Sequence, residues 1–186
     1  MSNFNLTPGT VNIRFGVGSI KELPEILVGL GKKKPFVVTD SGVAASGILA
    51  IVKKSLENGG FHGESFEGVK PNPTVSLIDD GARAAHLAGA DCIIAVGGGS
   101  SLDSSKGIAL VAANPTFSSA QFNYTITPEK PALPIIAIPT TSGTGSETNN
   151  WGVIDDPANH KKIYIGDAST TPFAAILDPE LTSGLP

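Results

Sequence analysis

"ADCIIAVGGGSSLDSSKGIALVAA", residues 90–113, reads as a buried strand, a glycine loop and a helix. Asp91 to Val96 is a short apolar run with β-branched Ile93, Ile94 and Val96, the pattern of a parallel strand covered on both faces. Gly97, Gly98 and Gly99 allow a sharp turn and a close approach of ligand to backbone, and Ser100 or Ser101 can cap a helix begun by Leu102. The free N–H groups of that first turn, with the helix dipole, favour an anion above the loop by roughly 0.3–1 kcal/mol. The bland alternative is a tight strand-to-helix turn with no ligand. Neither standard phosphate motif is present. Leu102 stands where G-x-G-x-x-G needs its third glycine, and Lys106 is followed by Gly107 where the P-loop needs Ser or Thr.

Outward from this unit the same alternation continues. Val11 to Phe15 looks like an edge strand entering a turn at Gly16 and Gly18, and Ser19 is placed to cap a helix from Ile20 to Leu30 that Gly31 ends. Pro35 to Thr39 is an apolar strand stopping at Asp40-Ser41-Gly42. A helix is expected from about Val43 to Glu57, with Ile48, Ile51, Val52 and Leu56 on one face. Phe61 to Val69 is a more polar strand near the sheet edge, and Thr74 can cap a helix from Val75 to Leu87 that closes at Gly89. Asn114 to Lys130 has no periodicity and reads as a surface excursion. Leu133 to Ile138 is another buried strand. Trp151 to Ile154, Lys161 to Ile165 and Ala174 to Leu177 are short strand candidates, with a hairpin around Asp155 to His160.

Strands and helices alternating at about 30-residue intervals predict an α/β fold with a mainly parallel sheet flanked by helices. Right-handed crossovers put the loops after the strands on one rim, so Asp40, Asn72, Gly97 to Ser100 and Thr140 to Ser146 become neighbours at one crevice. The hydroxyls of Thr140, Thr141, Ser142, Thr144 and Ser146 can wrap a pyrophosphate or ribose with neutral hydrogen bonds. Thr144 to Glu147 also fits a capping box, which suits Glu147 better than a catalytic acid. Asp40, at a strand tip, suits a carboxylate accepting from ribose hydroxyls and repelling a 2′-phosphate; an Asx-turn with Ser41-Gly42 is the competing reading.

Composition narrows the function classes. With 186 residues the chain fits one α/β domain and could bury roughly 70% of its unfolded surface. A net charge of -4 argues against nucleic-acid or anionic-membrane partners and for a small substrate. The 22 glycines and 14 prolines fall between periodic segments and mark turns. Cys92, alone and inside a strand, is read as a buried thiol in a reducing compartment. With no signal-like N-terminus or long apolar run, a cytoplasmic location is expected.

At this point the strings "AVGGGSSLDSSKGIA" (95–109) and "IPTTSGTGSETN" (138–149) acquire a context. Together with "VVTDSG" (37–42), "KPNPT" (70–74) and "AAILDPELTSGLP" (174–186), they resemble the N-terminal half of the iron-containing (group III) alcohol dehydrogenases. The resemblance runs from Phe15-Gly16 to Pro186. It implies a Rossmann-like N-terminal domain of the dehydroquinate synthase-like fold over residues 1–186, binding NAD in preference to NADP. It further implies that Gly97, Gly98, Gly99 and Ser100 hold the pyrophosphate, Asp40 meets the adenine ribose and Asn72 lies near the cofactor. Thr140, Thr141, Ser142 and Thr144 would line the nucleotide, Lys162 would lie near the nicotinamide ribose, and Leu181 would pack beside the cofactor. Asp103 and Lys106 match the helix after the glycine loop. Asn149 stands where relatives usually carry threonine, which changes the shape near the ribose.

The family's metal, Fe2+ or Zn2+, is held by an aspartate and three histidines in an all-helical half expected beyond Pro186. His62, His86 and His160 have neither the spacing nor the carboxylate partner for that role, so no metal ligand and no catalytic residue is expected in this chain. The resemblance implies hydride transfer between NAD(H) and a small alcohol or aldehyde by a homo-oligomeric enzyme, with this chain incomplete alone. The alternatives are a dinucleotide-binding module without chemistry, or half of an enzyme of the glycerol dehydrogenase or dehydroquinate synthase type.

Overall fold

The computed structural model describes residues 4–6, 11–122 and 127–184. Its elements in chain order are β1 (Phe4–Leu6), β2 (Asn12–Phe15), α1 (Leu23–Leu30), β3 (Pro35–Asp40), α2 (Ser41–Ala45), α3 (Ile48–Asn58) and β4 (Ser65–Val69). They continue with α4 (Val75–Leu87), β5 (Cys92–Gly97), α5 (Gly99–Ala113), β6 (Ile135–Pro139), β7 (Gly152–Asp156), β8 (Lys161–Ile165) and β9 (Ala174–Leu177).

The main sheet has the order β1-β2-β9-β6-β5-β3-β4. Its six strands from β2 to β4 run parallel, and β1 joins antiparallel at one edge. Alternation of side chains assigns the two faces. Phe36, Val38, Ile93, Ala95, Ile135 and Ala137 pack in one core with residues of α4 and α5, while Val37, Ile94, Val96, Ile136 and Ile138 pack in the other with those of α1 and α3. Strands apolar at every position are therefore what the topology requires.

β7 and β8 form a separate antiparallel hairpin, and Ile154, Ile163 and Ile165 join the α4/α5 core. α5 is thus covered by the sheet, by α4 and by the hairpin, and all but one residue from Ser101 to Ala112 is buried. Small residues make this possible. A Cβ on Gly107 would lie 2.8 Å from Ile78 Cγ2, one on Gly81 2.5 Å from Ile108 Cδ1, and one on Gly152 2.7 Å from the Asp103 carbonyl oxygen. Near the chain's far end, Asp178 is 1% exposed and accepts from the N–H groups of Gly18, Ile20 and Glu180, each at 3.1 Å. It fastens the turn after β2 to the turn after β9.

Several expectations change in detail. The first helix opens with a 3-10 turn over Ser19–Glu22, and no side chain caps it; Ser19 is buried inside it instead. The helix expected over Val43 to Glu57 is two, broken at Gly47, whose φ is 86°. The buried face of α3 is Leu49, Val52, Ser55 and Leu56, and Ile51 is half exposed. β2 is one strand in from the edge because β1 pairs with it. The expected surface excursion carries core: Phe122 is 2% exposed, held where Asp79 accepts from Ser118 Oγ and the Ser119 N–H. Residues 123–126 of that stretch lie outside the described residues. Thr74 does cap α4, accepting from the Leu77 N–H, and β4 is the outer strand on its side.

Candidate nucleotide site

The carboxyl ends of β3, β4, β5 and β6, with the turn after β9, surround a crevice of about 700 Å³, a size suited to a small ligand or cofactor. Its walls include Asp40, Ser41, Gly98, Gly99, Ser100, Thr140, Thr141 and Leu181. Ile48, Ile51, Val69 and Pro71 add an apolar side. Ile51 lies on α3, just after the break at Gly47, half exposed on this wall. Asp40, Lys70 and Glu180 are its charged residues.

The helix start differs from the expectation. α5 begins at Gly99, its N-cap is Gly98, and no side chain caps it. Ser101 turns away from capping and donates through Oγ to Asp40 Oδ2 at 2.9 Å. Asp40 Oδ1 accepts from the Val43 N–H at 2.9 Å and so caps α2. One carboxylate therefore joins the tips of β3 and α5 while remaining at the crevice wall. Gly97 makes the junction possible. Its φ is 138°, and a Cβ there would lie 2.6 Å from Ser101 Oγ and 3.2 Å from Asp40 Oδ2. Gly98 and Gly99 face the other loop: Cβ atoms on them would lie 3.3 Å from Thr141 Cγ2 and 3.0 Å from Thr144 Cγ2. The result is a helix start with no side-chain cap and no acidic residue in its first turn, a place that favours an anion.

The loop after β6 runs from Thr140 to Trp151 without a regular helix, so the Thr144 to Glu147 spacing caps nothing. Thr144 Oγ1 accepts from the Ser146 N–H at 3.3 Å, and Thr140 donates its N–H to the Gly97 carbonyl at 3.0 Å. Beneath the loop, Lys106 is 1% exposed. Its ammonium donates to Ser146 Oγ (2.9 Å), Asn149 Oδ1 (2.7 Å) and the Trp151 carbonyl (2.7 Å). Asp103 accepts from Ser146 Oγ and from the Val153 N–H at 3.1 Å. Burial lowers the Lys106 pKa to about 8, against the opposing pull of Asp103 and Glu147.

The residues singled out in the sequence divide into three groups. Asp40, Gly98, Gly99, Ser100, Thr140, Thr141 and Leu181 share the crevice, with Gly97 beneath them. Gly99 also borders a second depression with Asp103, Thr144 and Asn149, on the hairpin side of α5. Asn72, at φ 52°, is exposed in the turn after β4, and Ser142 is exposed on its loop. Lys162 lies on β8, paired with Asp155 at 2.6 Å on the hairpin surface and outside the crevice walls. The apolar wall escaped sequence reading because Ile51 has the spacing of a core residue; Gly47 is the signal that could have revealed the break.

Among the described residues no group of three or more His, Cys, Asp or Glu side chains is placed to hold an ion, and His62, His86 and His160 are each exposed on separate elements. Cys92 is fully buried, and burial pushes its thiol pKa well up, so it is no nucleophile. Among the described residues no helix is long and apolar enough to cross a membrane.

A parallel sheet whose strand ends carry an uncapped, glycine-lined helix start defines the Rossmann-like class of α/β domains. The chain belongs to the iron-containing alcohol dehydrogenase family, whose model matches residues 10–179. It is 36% identical over 181 residues to the NAD-dependent methanol dehydrogenase of Bacillus methanolicus, covering 97% of this chain and 46% of that protein. The lactaldehyde reductase of Escherichia coli K12 is 34% identical over 92% of this chain and 45% of its own length. Among solved structures, the NAD+ complex of sulfoacetaldehyde reductase from Bifidobacterium kashiwanohense superposes with a TM-score of 0.87 at 34% identity, covering 96% of this chain and 47% of that one. The chain spans about half the length of the relatives it matches.

Proposed function

We propose that this chain is the nucleotide-binding half of an NAD-linked alcohol dehydrogenase. The reading rests on the uncapped start of α5 opening into a crevice that also holds the Asp40 carboxylate. Bound NAD+ would supply the hydride acceptor for oxidation of an alcohol to its aldehyde, the hydroxyl proton leaving separately. The chain's own residues bind and orient. The backbone of Gly97 to Ser100 cradles the pyrophosphate, and Thr140 and Thr141 donate hydroxyls beside it. Asp40 keeps lone pairs for the ribose hydroxyls after serving Val43 and Ser101. Ile48, Ile51, Val69 and Leu181 offer apolar contact to the flat rings. Asn72, Ser142, Thr144 and Lys162 are assigned to the cofactor by family pattern; Asp103 and Asn149 act through the loop, because their oxygens are already engaged.

The catalytic and metal-holding residues belong, in this reading, to a helical half outside these 186 residues, supported by the half-length coverage of relatives. The substrate class is a small alcohol or aldehyde, the setting is the cytoplasm, and the working form is a homo-oligomer.

Fluorescence titration with NADH and, in parallel, NADPH tests the proposal. NADH should bind at least about tenfold more tightly, or about 1.4 kcal/mol, because Asp40 opposes a 2′-phosphate. Equal affinity for both would remove Asp40 from the ribose; binding of neither would overturn the nucleotide assignment.

A further inference from the structure

Among the described residues Lys106 is the buried cation, and it does not line the crevice. Its three donor hydrogens are all used, and every acceptor, Ser146, Asn149 and the Trp151 carbonyl, belongs to the loop between β6 and β7. Asp103, one turn earlier on α5, holds the same loop through Ser146 Oγ and the first residues of β7 through the Val153 N–H. The loop's other end is tied to β5 by the Thr140 N–H on the Gly97 carbonyl, and its middle rests on α5 where Thr144 meets Gly99. Inside the loop, the Thr148 N–H and hydroxyl and the Asn149 side-chain NH2 donate to the Gly145 carbonyl, and the Trp151 N–H donates to Asn149 Oδ1, so those bonds fix local turns and not the loop's seat. Asp103 Oδ1 also lies 3.8 Å from the ammonium, so the buried charge has an ion partner on α5 beside its three acceptors on the loop.

We propose that Lys106 is a positioning residue: its buried ammonium seats the Thr140 to Trp151 loop over the start of α5 and thereby sets the affinity of the crevice for a nucleotide. It does not touch the nucleotide. The consequence for binding rests on the nucleotide reading above, whereas the seating of the loop does not. Trp151 is the chain's single tryptophan, and its carbonyl is one of the three acceptors, so its emission reports the loop's seat directly.

The test compares the 186-residue chain with K106M, K106R and S146A. K106M should shift the Trp151 emission toward that of a solvent-exposed indole and weaken NADH binding by about tenfold or more, both read without urea, while the urea midpoint falls because three acceptors and Asp103 lose their partner. K106R, which keeps the charge and the donors, should restore part of both. S146A removes one acceptor and should move both readouts in the same direction by less, and it serves if K106M does not fold. Wild-type emission and wild-type NADH affinity in K106M would overturn the proposal. Should the unaltered chain bind neither NADH nor NADPH, the nucleotide reading falls by itself. The Trp151 spectra then decide the seating alone: a shift in K106M upholds it and an unchanged spectrum overturns it.

Discussion

Gly97→Ala strikes the junction on which the crevice depends. At φ 138° an alanine backbone is strained by about 1–3 kcal/mol. The new Cβ would sit 2.6 Å from Ser101 Oγ and 2.8 Å from Ser101 Cβ, so the serine must move and release Asp40. That bond goes to a charged acceptor and is worth about 1.5–3 kcal/mol, and Ser101, at 1% exposed, has no water to replace it. Together the losses come to at least about 2.5 kcal/mol, a large part of the 5–15 kcal/mol that holds a typical domain. Urea unfolding followed by Trp151 fluorescence, alongside NADH titration, measures both effects. Gly99→Ala is the control. The nearest atoms its Cβ would meet belong to the exposed Thr144, at 3.0 Å and beyond, so stability should change by less than about 1 kcal/mol while NADH affinity falls. Ser101→Ala in the Gly97→Ala background should recover little, because Ser101 Cβ and the backbone strain remain. A Gly97→Ala chain with wild-type stability and wild-type NADH affinity would refute the account of the junction.

Lys106 gives a pH signature. Its folded pKa of about 8 lies below the ordinary 10.5, so between those values the unfolded chain binds more protons and this group's contribution to stability rises with pH. The urea midpoint at about pH 9.5 should exceed that at about pH 7.5 by an increment that K106M loses. Asp103 on α5 and Glu147 on the loop are the charged groups acting on Lys106. Above about pH 8 the neutral amine has two hydrogens for three acceptors, so NADH affinity should fall over the same range, and a flat profile would separate the loop's seat from the charge. Asp178→Ala strands three backbone N–H groups and should cost about 3 kcal/mol or more in urea unfolding, with Asp178→Asn milder. A loss under about 1 kcal/mol would mean that water takes the carboxylate's place.

Much of this architecture was legible from local pattern. β5 shows in Ile93, Ile94 and Val96, the end of α1 in Gly31, the cap of α4 in Thr74, and the hairpin in two short apolar runs around Asp156, because each follows from a period or a turn residue within a few positions. The crevice was legible in outline, since parallel strands joined by right-handed crossovers must gather their following loops on one rim. What the residues do within that rim was not. Ser100 and Ser101 have the chemistry of caps, yet Ser101 bonds to Asp40, 61 positions away, because the turn at Gly97 brings the tips of β3 and α5 together. Ile51 has the spacing of a core residue, yet in a helix that restarts after Gly47 it stands on the crevice wall. Lys106 was legible only as the lysine that, with Asp103, matches the helix after the glycine loop; it becomes a buried clamp because the hairpin and the loop close over a helix already covered by the sheet and α4. Sequence by itself determined the strands, the helices and the side of the sheet where a ligand can bind, since these depend on near neighbours and on chain handedness. Tertiary structure decided which polar groups are spent on one another and which stay free for a ligand, because that depends on partners 40 to 160 residues apart.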